Sequence, residues 1–416
     1  MTEPSWARWT PERWEALAGE HATPLYVLDA DFVRERIAFV RNTLGGSAGV
    51  YFAVKANPNL GLLRAIREAA DGVDISSGGE LGQAMAAGFE AAQMSFAGPA
   101  KTDDELRAAI ASGVGCISVE SLRELEACAR IGAELGRRAS IVLRVNPAQS
   151  HRSYGIKMGG RAVQFGIDEA ELPAVEARAS ELESHLRCLG LHCYVGSQCF
   201  DGAGVLETTS HTLRLAEAME RRTGWPCRKL NLGGGFGLAQ SGDRREFDLS
   251  ATAAPLSALL HDFRASRPDC EVFFELGRFV TAGAGAYVTR VIDRKYSRGT
   301  AFVTCDGGLN HHLAAAGTFG AALRGNFPLA NLSRPAAAVL SCNVSGPSCN
   351  PTDLLGVQVE LPDPQPGDLL GVGMSGSYGL TASPILFLGH DTPAELVVDR
   401  GSVAVGRRRH SLAEFN

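Results

Sequence analysis

The feature that most constrains the fold of this chain is a series of eight short apolar segments, each followed by a helical or loop segment. The apolar segments have the length and composition of buried β-strands, and amphipathic helical spacing recurs between them. This alternation predicts a (β/α)8 (TIM) barrel, with an open doubly wound sheet as the alternative. The predicted strands are YFAVKA from 51, GVDISS from 72, QMSFAG from 93, CISVES from 116, SIVLRVN from 140, LGLHCYVGS from 189, KLNLGGG from 229 and CEVFFELG from 270.

Polar and glycine residues cluster where these predicted strands end, from Lys55 in the first to Glu275 in the last. Barrel enzymes build their active sites at that face, so the clustering predicts a catalytic barrel. Part of it has a simpler explanation, because the segments at 77–80 and 102–105 both match capping boxes that begin the next helix. The long connection over residues 147–168 is a candidate lid, since loops of that length tend to be functional.

From about Gly285 onward the helical periodicity fades, and short apolar segments separated by Gly and Pro turns replace it. This pattern predicts an all-β domain, built as a β-sandwich or a Greek-key-like barrel. The strand near Leu25 is expected to join it, because the barrel has no place for a ninth strand. The predicted organisation is an N-terminal segment (1–30) that joins the β domain, a barrel over 31–282 and the β domain over 283–416.

Charge and composition narrow the classes of partner. The net charge of −6 provides no basic field for nucleic acid or an anionic membrane, so a small-molecule ligand is expected. No segment approaches the roughly 20 apolar residues of a membrane span, and no apolar signal core is present at the N-terminus. The ten cysteines are scattered without CxxC pairs, which favours reduced thiols in the cytoplasm over disulfides or a metal site.

Lys55 is the one charged residue in the apolar, strand-like segment YFAVKAN. Burial disfavours the charged form of an amine, so this lysine is expected to be neutral and nucleophilic. A neutral buried amine is suited to forming a Schiff base with a carbonyl cofactor or substrate. The alternative is a strand-end lysine that extends into solvent, and the rest of the site has to decide between the two.

Two further motifs complete a cofactor site. The glycine loop NLGGGFG (231–237) follows the seventh predicted strand, where barrels often bind phosphate through consecutive backbone N–H groups. Glu275 and Arg278, in ELGR, follow the eighth strand and bring an acid and a cation next to that loop. The lysine, the phosphate-binding groups and an acid for a pyridinium nitrogen together predict pyridoxal phosphate. An empty glycine turn and a structural ion pair remain the alternatives for each motif alone.

The sequence resembles the fold-type III pyridoxal-phosphate-dependent decarboxylases, the family that contains the diaminopimelate, ornithine and arginine decarboxylases. The resemblance extends from Thr23 to about Val398, which is nearly the whole chain. The matching motifs, in order, are YFAVKAN, DISSGGEL, ISVES, LRVNP, KMGG…QFGI, YVGSQ, NLGGGFG, ELGR, CDGGLN, GPSCNPTD and SGSYG.

The resemblance implies a role for each matching residue. Lys55 would form the Schiff base and Glu275 would keep the pyridine nitrogen protonated. Cys349, from the partner subunit of a homodimer, would return a proton after carbon dioxide leaves; without its motif it would be taken for a small buried hydrophobe. The implied cofactor-binding residues are Lys55, Asp74, Arg144, Tyr194, Ser197, Gly234, Gly235, Phe236, Gly237, Glu275, Gly277, Arg278 and Tyr378, and the implied substrate-binding residues are Arg324, Asn350 and Asp353.

Three departures from the family pattern concern the substrate. Tyr194 replaces a histidine that stacks on the cofactor ring, and Asn350 replaces an acid that contacts the distal end of a basic substrate. Residues 318–329, near Arg324, lack both the acid of the ornithine enzymes and the arginine pair expected for diaminopimelate. These departures resemble a biosynthetic subgroup that acts on amino acids attached to a carrier protein or another larger group.

The predicted function is therefore decarboxylation of an L- or D-amino-acid group on a modified or carrier-linked amino acid. One alternative is decarboxylation of free diaminopimelate, lysine or ornithine. A second is an amino-acid racemase on the same fold. A third is a cofactor-binding regulator without catalysis, which the presence of both Lys55 and Cys349 disfavours.

Overall fold

The computed structural model describes residues 3–148, 151–241, 245–316 and 325–415. Helix α1 (Pro11–His21) and strand β1 (Leu25–Asp29) precede the barrel. Strand β1 belongs to the C-terminal sheet, because it pairs there with two strands from the last third of the chain.

Eight parallel strands close into a barrel, which confirms the predicted fold class. All eight predicted segments contain a strand of the barrel wall. In chain order the strands are β2 (Gly49–Ala53), β3 (Gly72–Ile75), β4 (Met94–Phe96), β5 (Cys116–Val119), β6 (Ala139–Asn146), β7 (Tyr154–Lys157), β8 (Ile167–Asp168), β9 (Leu186–His192), β10 (Gly196–Cys199), β11 (Lys229–Gly234) and β12 (Glu271–Leu276), of which β7, β8 and β10 lie outside the wall.

Helices alternate with the barrel strands and contribute buried apolar side chains to one continuous core with them. The predicted capping box at 102–105 is present, with reciprocal bonds between Thr102 and Glu105. At 77–80 the reciprocal bond is absent: Ser77 Oγ accepts the N–H of Glu80 (3.2 Å), but the Glu80 carboxylate accepts the N–H of Ser76. The helices are α2 (Ala30–Thr43), α3 (Leu60–Ile66), α4 (Gly78–Ala86), α5 (Asp103–Ser112), α6 (Leu122–Glu134), α7 (Leu172–Glu181), α8 (Gly202–Thr223), α9 (Leu249–Ala265) and α10 (Arg278–Thr281). Short 3-10 turns occur at Ser5–Arg8, Val54–Ala56, Ala91–Gln93, Glu169–Glu171, Ala282–Ala284, Leu380–Ala382, Phe387–Gly389 and Leu412–Phe415.

The C-terminal third forms a mixed sheet with β1 at its centre. Strand β1 is buried on both faces, with Tyr26 in one apolar cluster and Leu25 and Val27 in another, which explains its uninterrupted apolar sequence. The sheet strands are β13 (Gly285–Ser297), β14 (Thr300–Cys305), β15 (Leu329–Asn331), β16 (Val339–Ser345), β17 (Leu354–Pro362), β18 (Leu369–Val372), β19 (Ala394–Asp399) and β20 (Ser402–Arg407).

The β domain contacts the barrel at the face where the site residues cluster. The carbonyl oxygen of Gly376 accepts hydrogen bonds from the side chains of Asn57 and Thr281, each at 2.9 Å. The loop after β18 is therefore held against the strand ends that carry Lys55 and Arg278.

The predicted lid over residues 147–168 contains a strand, β7, which pairs antiparallel with β10. Met158 N–H also donates to the carbonyl oxygen of Val195 at 2.8 Å, so the loop is tied to the barrel mouth. Among the described residues, no helix is long and apolar enough to span a membrane.

Candidate active site

Lys55 lies in the 3-10 turn that directly follows β2, and its amine is 3.4 Å from Asp74 Oδ2 on β3. The side chain is 47% exposed, but protein groups surround the amine on its inner side. Burial by these groups lowers the pKa of Lys55, because it disfavours the charged amine. Attraction to Asp74 and Glu275 is stronger, so the pKa of Lys55 is raised above its usual value. In the protein without cofactor this raised pKa favours the ammonium form of Lys55 over the neutral amine that the sequence predicted.

Glu275 ends β12 and is buried between polar groups from neighbouring strands. Asn231 of β11 donates its side-chain N–H to Glu275 Oε1, and His192 Nε2 of β9 lies 3.7 Å from Oε2. Burial and the nearby Asp74 carboxylate raise the pKa of Glu275. The sequence did not identify His192, and it treated Asn231 only as the start of the glycine loop.

The glycine loop is shaped by close backbone packing. Gly233 and Gly235 have φ of +62° and +79°, a region that favours glycine. A Cβ on Gly235 would collide with the carbonyl oxygen of Gly196, the residue before Ser197. The loop therefore lies directly against β10, which brings Ser197 and Gly234 to the same part of the barrel mouth.

Gly237 and Phe236 of this loop contribute to its shape and packing. The N–H of Gly237 donates to the carbonyl oxygen of Cys199 at 2.7 Å, so Gly237 shapes the loop. The ring of Phe236 is buried among Phe247, Phe274 and Phe279. Phe236 can therefore bind a ligand only through its backbone.

Arg278 begins α10 beside the glycine loop. Its guanidinium lies 4.8 Å from the ring centre of Tyr378 and donates to the side chain of Gln240, a buried residue that the sequence did not identify. Burial lowers the pKa of Arg278, but an arginine side chain stays charged at neutral pH. Gly277 before it is required, because a Cβ there would lie 2.7 Å from the Cβ of Ala56, next to Lys55.

Arg144 on β6 and Tyr194 after β9 extend the mouth along the strands next to β11. Arg144 forms a buried ion pair with Glu120 at 2.7 Å, and the ring of Phe165 from the 147–168 connection packs 5.2 Å from its guanidinium. Tyr194 follows β9, and its ring packs against Gly233, where a Cβ would lie 2.7 Å from Tyr194 Cδ2. Burial raises the pKa of Tyr194 to about 12, so its hydroxyl stays protonated.

These groups fit pyridoxal phosphate. Asp74 Oδ1 is buried without a hydrogen-bond partner among the described residues, as expected of a group that faces a polar ligand. The amine of Lys55 suits an aldehyde, Glu275 suits a protonated ring nitrogen, and Arg278 with the glycine loop suits a phosphate.

Cys349 lies on the loop between β16 and β17 and is exposed, whereas eight of the ten cysteines are buried and Cys188 is half-buried. Its loop is held by Asp353, whose carboxylate accepts the N–H groups of Leu309 (2.7 Å) and Ser348 (2.9 Å). Asp353 therefore shapes the loop that carries the thiol.

Of the other predicted substrate residues, Asn350 is half-buried beside Cys349. Its side-chain oxygen accepts the N–H and the hydroxyl of Thr352, at 3.0 and 2.9 Å. Arg324 lies outside the described residues.

Comparison with known proteins agrees with this geometry. Residues 30–282 match the family described as "Pyridoxal-dependent decarboxylase, pyridoxal binding domain". The chain is 36% identical over 400 residues to the L-glutamyl-[BtrI acyl-carrier protein] decarboxylase of Niallia circulans, covering 95% of this chain and 93% of that protein. It is 34% identical to the diaminopimelate decarboxylase of Pseudomonas aeruginosa, covering 96% and 93%.

Solved structures give the same result for the fold. The diaminopimelate decarboxylase of Helicobacter pylori, complexed with L-lysine, superposes with a TM-score of 0.86 at 25% identity. The similarity covers 96% of this chain and 98% of that one. The likeness therefore includes the β domain as well as the barrel.

Proposed function

Because the chain belongs to the family of pyridoxal-dependent decarboxylases, we propose that it removes the α-carboxylate of an amino acid attached to a carrier protein. The observation that carries the cofactor chemistry is the Lys55 ammonium, 3.4 Å from Asp74 and beside the buried Glu275. The relative with 36% identity, a carrier-protein glutamyl decarboxylase by name, supports the substrate class.

The chemistry of the reaction limits how such a substrate is attached. The α-amine has to be free to react and the α-carboxylate has to be free to leave. The carrier linkage must therefore run through the side-chain carboxyl of the amino acid. The distal end of the substrate is then a neutral thioester, which agrees with a neutral Asn350 where relatives carry an acid.

Each residue of the site has a role in this proposal. When bound, pyridoxal phosphate supplies an aldehyde and an electron-accepting pyridinium ring. Lys55 loses a proton from Nζ before it reacts, and Asp74 Oδ2 is the group positioned to accept it. Glu275, held by Asn231, retains the proton on the ring nitrogen. Arg278, Ser197 and the backbone of the glycine loop bind the phosphate.

The remaining proposals concern the assembly. We propose that the active form is a homodimer in which the exposed Cys349 of each subunit enters the site of the other and returns the proton. The described contacts of Asp353 support a fixed loop for that thiol. We also propose a cytoplasmic location, because all ten cysteines are free thiols.

Decarboxylation of free diaminopimelate is the second candidate function, and the 34% identity to an enzyme of that name favours it. Racemisation and a purely regulatory role have no comparable support.

A single assay separates these functions. Purified protein with pyridoxal phosphate is offered an L-glutamyl thioester of an acyl-carrier protein, free diaminopimelate, lysine and ornithine, and carbon dioxide release is measured. We expect release from the carrier-linked substrate, with kcat/KM at least about a hundredfold above that for free amino acids. Release from free diaminopimelate alone would reassign the substrate, and loss of optical activity without carbon dioxide would identify a racemase. Lys55→Ala is the inactive control.

A further inference from the structure

A basic segment borders the entrance to the site. Residues 151–167, called the basic loop, contain Arg152, Lys157 and Arg161 and no acidic residue, although the chain as a whole has a net charge of −6. Arg152 and Arg161 are exposed and Lys157 is half-exposed. None of the three forms an ion pair within the described ranges; Arg161 instead donates to the carbonyl oxygen of Lys157 at 3.3 Å.

The basic loop is held in place at the barrel mouth. Lys157 pairs with Gly196 across β7 and β10, one residue from Ser197 in the proposed phosphate site. Gly160 N–H donates to Asn146 Oδ1 at 2.9 Å, and Gly166 N–H donates to Glu120 Oε2 at 3.1 Å. The three cations are thus presented on an anchored backbone next to the substrate entrance.

The nearest acids along the chain have partners of their own. Asp168 accepts from Asn146 at 2.7 Å, and Glu169 accepts from His211 at 2.9 Å. Asp201 and Glu207 each lie 3.9 Å from a ring nitrogen of His151 at the start of the basic loop, and within the described ranges neither forms an ion pair with its three cations. The positive charge of the basic loop is therefore available to an outside partner.

We propose that the basic loop is the docking surface for an acidic carrier protein that delivers the aminoacyl thioester. The inference rests on the proposed function, because a free amino acid needs no protein surface beside the entrance. Charge complementarity at the rim of an interface accelerates and orients encounter, and it weakens as salt is added. A docked carrier at this position would have its prosthetic arm beside the mouth of the barrel.

The test compares two substrates that differ only in the carrier. One is the L-glutamyl thioester of an acyl-carrier protein and the other is the same acyl group on free pantetheine. The variant Arg152→Glu/Lys157→Glu is expected to raise KM for the carrier-bound substrate about tenfold or more, with kcat and the pantetheine reaction unchanged. The control Arg187→Glu/Arg221→Glu makes an equal charge change at exposed arginines outside the basic loop and is expected to leave both substrates unaffected.

The outcomes distinguish this inference from the proposed function. If neither thioester is a substrate for the unaltered protein, the proposed function fails. If both are substrates and the basic-loop variant has an unchanged KM for the carrier form, the docking surface is wrong. A variant that sediments as a monomer while the unaltered protein is a dimer would assign the surface to contact between subunits and overturn the inference.

A second inference concerns His192, which the sequence did not identify. Its Nδ1 is 3.0 Å from Ser118 Oγ, and its buried Nε2 lies 3.7 Å from Glu275 Oε2 with no hydrogen-bond partner in the part of the chain that the structure describes. If the Ser118 hydroxyl donates to Nδ1, the ring carries its proton on Nε2, directed at Glu275. The charged groups that act on this ring are Arg144, Lys55, Lys101 and Glu275.

We infer that His192 is a positioning residue that, with Asn231, keeps Glu275 oriented and ionised towards the ring nitrogen of the cofactor. Asn231 donates a hydrogen bond to Glu275, and the neutral His192 ring adds a favourable dipole at 3.7 Å. Both stabilise a carboxylate without neutralising it, so Glu275 can still hold a proton on its partner. The absorption spectrum of the bound cofactor reports the protonation of that partner and is independent of turnover.

The test is a pH titration of this spectrum in His192→Phe and His192→Gln. The Phe variant is expected to move the titration midpoint by about one pH unit or more, and the Gln variant, which retains a donor, is expected to restore much of it. Thermal unfolding serves as the control for packing. Identical titrations in all three proteins, with only a lower melting temperature in the variants, would reduce His192 to a structural residue.

Discussion

The backbone N–H of Tyr378 donates to the carbonyl oxygen of Ala56 at 2.8 Å, which joins the β domain to the barrel directly beside Lys55. Tyr378 adopts a left-handed φ of 52°, and its ring faces Arg278. The proposed phosphate site is therefore completed by a residue whose position depends on the contact between the two units.

Gly376→Ala tests that contact. A Cβ at Gly376 would collide with the carbonyl oxygen of Thr281, so the loop carrying Tyr378 would have to move. We expect unfolding to become about 1–3 kcal/mol easier, as for overpacked interiors, together with weaker cofactor binding. Calorimetry and cofactor titration measure the two effects. Gly19→Ala, in α1 with open space around the Cβ and an ordinary backbone conformation, is the control for substitution of a glycine.

Asn231→Ala changes the pH profile in a defined direction. Burial and the Asp74 carboxylate raise the pKa of Glu275, and the hydrogen bond from Asn231 lowers it. Removing the donor raises the pKa of Glu275 further, so a higher pH is needed to keep the carboxylate charged. We expect the acid limb of the kcat/KM profile to move to higher pH, by about 0.5–1 unit. A shift to lower pH, or none, would contradict the role assigned to Glu275.

Asp74→Asn is expected to make Lys55 more reactive in the protein without cofactor. Asp74 is the largest of the attractions that raise the pKa of Lys55, so its removal leaves burial to favour the neutral amine. Reductive methylation followed by mass spectrometry measures this, with the exposed Lys295 as internal reference. We expect labelling of Lys55 at pH 8 to rise about tenfold relative to Lys295. Unchanged labelling would mean that other groups hold the proton.

Arg278→Ala is expected to weaken cofactor binding about 10- to 100-fold, because a hydrogen bond to a charged group contributes about 1.5–3 kcal/mol. Arg278→Lys should recover part of the loss, since it keeps the charge but not the fork that contacts Gln240. Equilibrium dialysis gives the dissociation constants. Equal affinities for Arg278→Ala and the unaltered protein would remove Arg278 from the phosphate site.

Mixing two inactive variants tests the shared active site. A mixed dimer contains one Lys55→Ala subunit and one Cys349→Ala subunit. If the thiol of each subunit enters the site of the other, one site lacks both Lys55 and Cys349 and the other site has both. Random reassembly of equal amounts should then restore about a quarter of full activity. If Cys349 acts within its own subunit, every site lacks one group and no activity returns. Size-exclusion chromatography verifies that mixed dimers form.

Much of the fold follows from local sequence pattern. The eight barrel strands are apolar segments of strand length bounded by turn residues, and each signal is contained in fewer than ten residues. The sequence also predicted the capping residues Ser77 and Thr102, because a capping side chain accepts a backbone N–H only three residues away. The motifs around Lys55, Glu275 and Arg278 placed these residues at strand ends, which brings them to one face of any parallel barrel.

The charge of Lys55 and the surroundings of Glu275 were decided only by the tertiary structure. The ammonium form of Lys55 is favoured because Asp74 and Glu275 approach it from other strands, and Coulomb attraction depends on distance through space. His192 and Asn231 reach Glu275 for the same reason, from β9 and β11. The sequence thus determined which residues stand at the barrel mouth, whereas closure of the barrel decided which of them interact and in which protonation state.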